Sequence, residues 1–146
     1  MPRVNIQQQQ PEAYQAMFGL EKYLASSTTD ADLQELVRIR VSIVNGCQFC
    51  IGMHSEAARK LGVGDAKISA VTGWHQSELF SDKERAALNM ADFVTNISSN
   101  GLPESAYQKA AVFFDKNEMA QLIVLIATIN AWNRWGISMA EATTAS

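Results

Sequence analysis

The sequence predicts an all-α chain folded as one compact domain, and three observations carry that prediction. Only three prolines and eight glycines punctuate long runs of helix-forming residues. Few stretches alternate apolar with polar residues as a half-buried strand would. The length, 146 residues, lies near the middle of one-domain sizes, and no repeat, linker or shift of composition divides the chain. At 47% apolar and 18% charged, it has enough apolar mass for a real core, which excludes a disordered acidic chain.

The elements follow in order. Met1 to Gln10, ending in a Gln run, reads as a loose N-terminal arm of the single domain spanning 1–146. Pro11 suits a first turn, and Ala13, Met17, Leu20 and Leu24 recur at helical spacing before the Ser26-Ser27-Thr28-Thr29 break. Asp30 is placed to cap a second helix, whose Leu33, Leu36, Val37, Ile39, Val41, Ile43 and Val44 give an almost all-round apolar surface as far as Asn45-Gly46. A third helix runs from about Cys47 to Leu61, with Gly62 as its stop. Asp65 caps a short fourth helix through Val71, and a loop around Gly73-Trp74 follows. Ser81-Asp82-Lys83-Glu84 has the form of a capping box and opens a fifth helix that ends at Asn100-Gly101. Pro103 opens a sixth around Tyr107 and Ala111. From Met119 to Ile129 nearly every residue is apolar, which marks a last helix packed on all sides, in the domain centre or in a subunit interface.

Charge and hydropathy exclude several classes of partner. The formal charge is -3, and no basic run is longer than Arg59-Lys60, so nothing in the chain would track nucleic acid phosphates. The longest apolar stretch, Leu122 to Ala127, is far shorter than the roughly 18 to 20 residues that span a bilayer. The first ten residues lack the apolar segment of a signal peptide, and a cytoplasmic location is the expectation. Two cysteines are too few for the disulfide framework of a secreted scaffold. Their CxxC spacing needs another explanation.

On a helix turning 100° per residue, Cys47, Cys50 and His54 fall at about 0°, 300° and 340°, within a sector of about 60°. The two thiols and the imidazole therefore share one face. Cys47 follows Asn45-Gly46, where the free N–H groups of a helix start favour a thiolate. His54, one turn beyond Cys50, is placed to take or relay its proton, and it leaves Cys47 as the better exposed exchange partner. Glu35 lies on the preceding helix, and a chain reversal through Asn45-Gly46 would bring it beside the imidazole to fix its tautomer. A buried cysteine is ordinarily a small hydrophobe; the pair with a histidine four residues on points instead to redox chemistry. Metal is not expected, because ligands confined to one helix face close a tetrahedron poorly. Arg38, one turn from Glu35, is placed to pair with it; Arg40 reads as a solvated helix charge and His75 as a solvated loop residue. Trp74, Trp132 and Trp135 read chiefly as packing mass, with one of them lining a pocket or subunit contact as the alternative, and Asn130, Asn133 and Arg134 as helix-end or interface groups.

The run from Glu35 to His54 resembles the core motif of the alkylhydroperoxidase D-like family, within the carboxymuconolactone decarboxylase superfamily. It has a Glu twelve residues before the first Cys, Asn-Gly before that Cys, the CxxC itself, and a His four after the second Cys. Arg59-Lys60-Leu61-Gly62, Trp74 to Phe80, Glu84 to Leu88 and Thr128 to Arg134 resemble the family's later blocks, so the likeness covers most of the chain. The resemblance implies an all-helical fold that assembles as trimers or hexamers, and a thiol-dependent peroxidase needing no bound cofactor. It implies that Cys50 attacks hydrogen or alkyl peroxides after losing its proton to His54 and Glu35, and that Cys47 resolves the sulfenic acid. An external dithiol, in some members a lipoyl group, then reopens the disulfide. The family's peroxidases place a second His inside the CxxC, where this chain has Gln48-Phe49. The alternative of a different class is a redox sensor or disulfide exchanger that binds a partner protein without turning over peroxide.

Overall fold

Two apolar helices, α3 (Ala31–Asn45) and α9 (Lys116–Met139), pack together at the centre of the computed structural model, which describes residues 3–141. Around them lie α1 (Ile6–Gln9), α2 (Pro11–Ala25), α4 (Gln48–Lys60), α5 (Asp65–Ala70), a 3-10 segment (Val71–Gln76), α6 (Asp82–Thr95), α7 (Ile97–Asn100) and α8 (Glu104–Ala111). No strand occurs among the described residues, and the all-α expectation holds.

Helix α3 is buried on two sides, as its apolar circumference required. Leu33, Val37 and Val41 pack with Leu122, Leu125, Ile126 and Ile129 of α9 and with Ala87, Met90 and Ala91 of α6. Leu36 and Ile39 join a second cluster with Ala58 of α4, Ile68 of α5, and Val71 and Trp74 of the 3-10 segment. Each such fully buried aliphatic side chain contributes about 1.5–3 kcal/mol relative to exposure. This double packing makes α3 the wall to which the site is fixed.

Several local details differ from the sequence expectations. Asp30 is the N-cap residue of α3, but its side chain caps nothing. Gln34 ties down the incoming chain instead, its amide donating to the Leu24 and Thr29 carbonyl oxygens at 3.0 and 3.1 Å. Gly64, not Asp65, is the N-cap of α5. The loop at Gly73-Trp74 is a 3-10 segment, broken at Gly73. The helix expected to end at Asn100-Gly101 stops at Thr95, and Ile97–Asn100 form a separate turn. Arg40 is not a solvated charge: it holds the Asp92 carboxylate at 2.6 and 3.2 Å and donates to the Thr72 carbonyl, pinning α6 and the 3-10 segment to α3. Trp74 Nε1 donates to the same carboxylate.

The Ser81 capping box is present, with Ser81 Oγ accepting from the Glu84 N–H and the Glu84 carboxylate accepting from the Ser81 N–H. A second box, Asp115 with Glu118, starts α9 three residues ahead of the apolar run. Helix α9 then continues ten residues past Ile129, to Met139. Those added turns carry Trp132, Trp135 and Gly136 to the site.

Candidate redox site

The turn between α3 and α4 brings the chemistry-bearing residues together. Gly46 adopts φ +74°, a left-handed conformation that glycine takes without strain. It allows the Cys47 N–H to reach back to the Ser42 carbonyl at 2.9 Å, closing α3 in a Schellman arrangement. Cys47 is thereby the N-cap of α4, and Cys50 sits in its first turn. The chain reverses, and α4 returns along α3.

Cys47 and Cys50 are joined in a disulfide, with Cα atoms 5.3 Å apart. Each is only 5% exposed, so Cys47 is no more accessible than Cys50, contrary to the sequence expectation. Both occupy the start of α4, where outward-facing N–H groups and the positive end of the helix dipole stabilise a thiolate released on reduction.

The reversal also places Glu35 against His54, whose Nδ1 lies 2.8 Å from Glu35 Oε2. An ionised carboxylate only accepts, so with Glu35 ionised the ring would donate from Nδ1 and leave Nε2 as the acceptor. The other carboxylate oxygen of Glu35 accepts from Arg38 Nη1 at 3.0 Å, and the expected pairing is present. Arg38 is itself buried.

Glu21 completes the arrangement, and the sequence reading did not single it out. Arg38 Nη2 donates to Glu21 Oε2 at 3.0 Å, and Trp132 Nε1 donates to Glu21 Oε1 at 2.9 Å. A continuous chain thus runs Trp132–Glu21–Arg38–Glu35–His54. One guanidinium is shared by two carboxylates. Glu21 stands between Leu20 and Lys22 on an ordinary surface-facing helix; its partners are 17 and 111 residues away, so no local pattern marks it.

Of these groups, Glu21, Cys47, Cys50, His54 and Trp132 border a cavity of about 1140 Å³, while Glu35 and Arg38 stand behind them, outside its lining. One wall is aromatic: Tyr14 and Trp132 have ring centroids 5.3 Å apart, Phe18 and Trp132 5.5 Å, and Trp132 and Trp135 5.5 Å. Cys47, Cys50 and His54 form the floor, with Gly136 of α9 against the sulfurs. Trp132 and Trp135 are therefore more than packing mass. Trp74 belongs to the second core cluster and His75, largely exposed, stacks on its ring at 3.7 Å, away from the cavity lining. Asn130 and Asn133 accept from Asn45 Nδ2 at 2.9 and 3.1 Å, bracing the α3 end against α9.

Comparisons with known proteins bear on the family and the fold. The family model of the carboxymuconolactone decarboxylase family matches residues 11–93. The uncharacterised protein YdfG of Bacillus subtilis is 36% identical over 137 residues, covering 94% of this chain and 93% of its own. The crystal structure of an Agrobacterium tumefaciens protein of unknown function, described as a candidate AhpD antioxidant defence protein, superposes with a TM-score of 0.93 at 32% identity over the whole of both chains. The crystal structure of the debrominase Bmp8 shares the fold, with a TM-score of 0.80 at 24% identity over 94% of this chain and 74% of that one.

Proposed function

The chain belongs to the carboxymuconolactone decarboxylase family as an AhpD-like member, and from that premise we propose that it is a thiol-dependent peroxidase acting through Cys47 and Cys50. The observation that carries the reading is the Cys47–Cys50 disulfide at the floor of a cavity it shares with His54, itself bonded to Glu35.

In the reduced protein, Cys50 is the attacking thiol. His54 Nε2 takes its proton, and the Glu35 carboxylate holds the resulting imidazolium. The Cys50 thiolate attacks the outer oxygen of the peroxide, so that a sulfur–oxygen bond forms as the oxygen–oxygen bond breaks. The departing oxygen takes the proton from His54 and leaves as water or an alcohol. Cys50 is then a sulfenic acid. The Cys47 thiolate attacks that sulfur, hydroxide leaves with a proton as water, and the disulfide forms. An external dithiol, either a small molecule or a lipoyl group, supplies the two electrons that reopen it. The working assembly in this reading is a homo-oligomer, a trimer or hexamer.

The test is to titrate the fully reduced protein with peroxide and count thiols by alkylation and mass. Two thiols should be lost per chain with one equivalent of peroxide, and they should return with dithiol. A protein that forms the disulfide with thiol–disulfide partners but leaves peroxide unconsumed would be the exchange module instead. Gln48-Phe49, in place of a histidine between the cysteines, is the feature that favours that second outcome.

A further inference from the structure

Gly136 lies inside α9, four residues before its C-terminal cap, at an ordinary helical φ. Nothing in its backbone calls for glycine, and alanine is the better helix former at such a position. Packing does not call for glycine either. Among the described residues, a Cβ added there would meet two atoms within 4 Å, Cys47 Sγ at 3.7 Å and Cys50 Sγ at 3.9 Å, both at ordinary contact distance. Among the described residues, the missing side chain is therefore missing over the disulfide.

The two cysteines are each 5% exposed, and they share the cavity with Gly136. Little sulfur surface remains for an incoming nucleophile, and a methyl group over both sulfurs would take part of it. We propose that Gly136 is the access residue of the redox pair: its lack of a side chain keeps the route from the cavity to the sulfurs open for the attacking thiolate. The inference rests on the redox reading above and concerns the reductive half of the cycle. In that step a thiolate of the donor attacks one sulfur, the Cys47–Cys50 bond breaks, and one cysteine leaves as a thiolate that takes up a proton. The donor's second thiol, deprotonated, attacks the mixed disulfide and releases the other cysteine. The donor ends as a cyclic disulfide, and two electrons have passed to the protein.

The experiment compares the oxidised parent with Gly136→Ala, Gly136→Val and Gly19→Ala, using dithiothreitol as the probe in stopped flow and thermal unfolding as the control. Gly19 lies within α2 with nothing within 4 Å of an added Cβ, so its variant reports helix propensity alone. Gly136→Ala should lower the second-order rate constant of reduction about three- to tenfold, in keeping with the dependence of exchange on access. Gly136→Val should lower it further, and Gly19→Ala should leave it unchanged. The thermal midpoint of Gly136→Ala should equal or exceed that of the parent, so that a stabilised protein exchanges more slowly. A rate for Gly136→Ala within twofold of the parent overturns the inference. So does a lowered midpoint, which would make the glycine a packing requirement. A parent disulfide that dithiothreitol leaves closed defeats the redox reading itself, a result distinct from either.

Discussion

Around His54, the charged groups form a chain that meets the imidazole at Nδ1. Glu35 accepts from Nδ1, while Arg38 occupies the other oxygen of Glu35 and is in turn held by Glu21. Removing the Glu35 charge with Glu35→Gln leaves Arg38 partly unmatched in a buried position and deprives the imidazolium of its counter-ion. Peroxide-dependent disulfide formation should then slow by ~10- to ~1000-fold, the span of general-base contributions. Stopped-flow tryptophan fluorescence or timed alkylation reads it. The two cysteines should separate by role. Cys47→Ser should stop after one oxidation, with a sulfenic acid that a dimedone probe traps; Cys50→Ser should consume no peroxide. A Cys50→Ser protein that still turns over peroxide reverses the assignment. At this scale the sequence disclosed the residues whose spacing is local, namely Cys47, Cys50, His54 and, across one turn, Glu35. Glu21 and Trp132 were hidden because their partnership is made by α2 and α9 meeting far along the chain, and neither residue type is unusual where it stands.

Elements were legible where their ends are written in polar chemistry and obscure where they are written in packing. Ser81 to Glu84 announces α6 by its capping box, and Asn45-Gly46 announces the end of α3. Asp115 to Glu118 carries the same kind of signal, but the apolar run beginning at Met119 drew the boundary three residues late. The far end of α9 has no signal at all, since Gly136 resembles a stop and is an interior residue. Two predictions belong to these ends. Gly46→Ala forces a side chain into the left-handed region at the hinge that returns α4 along α3, and should cost about 1 kcal/mol, measured by chemical denaturation. The second concerns Glu84. Burial works to raise its carboxyl, but the Lys67 ammonium at 2.8 Å and the Ser81 bonds outweigh burial and hold it below the usual range. A carboxyl lowered on folding adds stability that is present above its ordinary value and disappears as the pH falls through the lowered one. Glu84→Gln keeps the shape of the cap and loses the charge, so it should destabilise by about 0.5–1 kcal/mol at pH 7. The difference from the parent should shrink to nothing in acid below the carboxylate range. A pH-independent deficit would assign the effect to the cap alone.

For the whole molecule, the distribution of apolar surface decides what the fold offers to a second copy. The sequence predicts that Met119–Ile129 is packed on all sides, in the domain centre or in a subunit interface. The chain covers most of it, not all sides: Met119, Leu122, Leu125, Ile126 and Ile129 are at most 2% exposed, packed by α3, α6 and α8, while Ala120, Ile123 and Ala127 leave one face of the helix exposed, Ile123 by 38%. A one-dimensional pattern shows that a helix is apolar all round but not whether its own chain has enough neighbours to surround it. The large apolar side chains left in water include Phe18, Phe49, Met53 and Ile137, exposed by 52%, 77%, 49% and 40%, and all four line the cavity beside the disulfide. In the proposed homo-oligomer these side chains would be the surface buried, which would narrow the cavity of about 1140 Å³ and exclude water from the cysteines. Light scattering at micromolar concentration should give a mass several times 16.0 kDa. Phe49→Glu puts a charge on the most exposed of the four and should reduce that mass toward the single chain, with helical content by circular dichroism unchanged. A parent protein measured at one chain's mass removes the homo-oligomer from the proposal. An assembly that Phe49→Glu leaves intact moves the interface to another face, and the cavity then stays open to solvent during turnover.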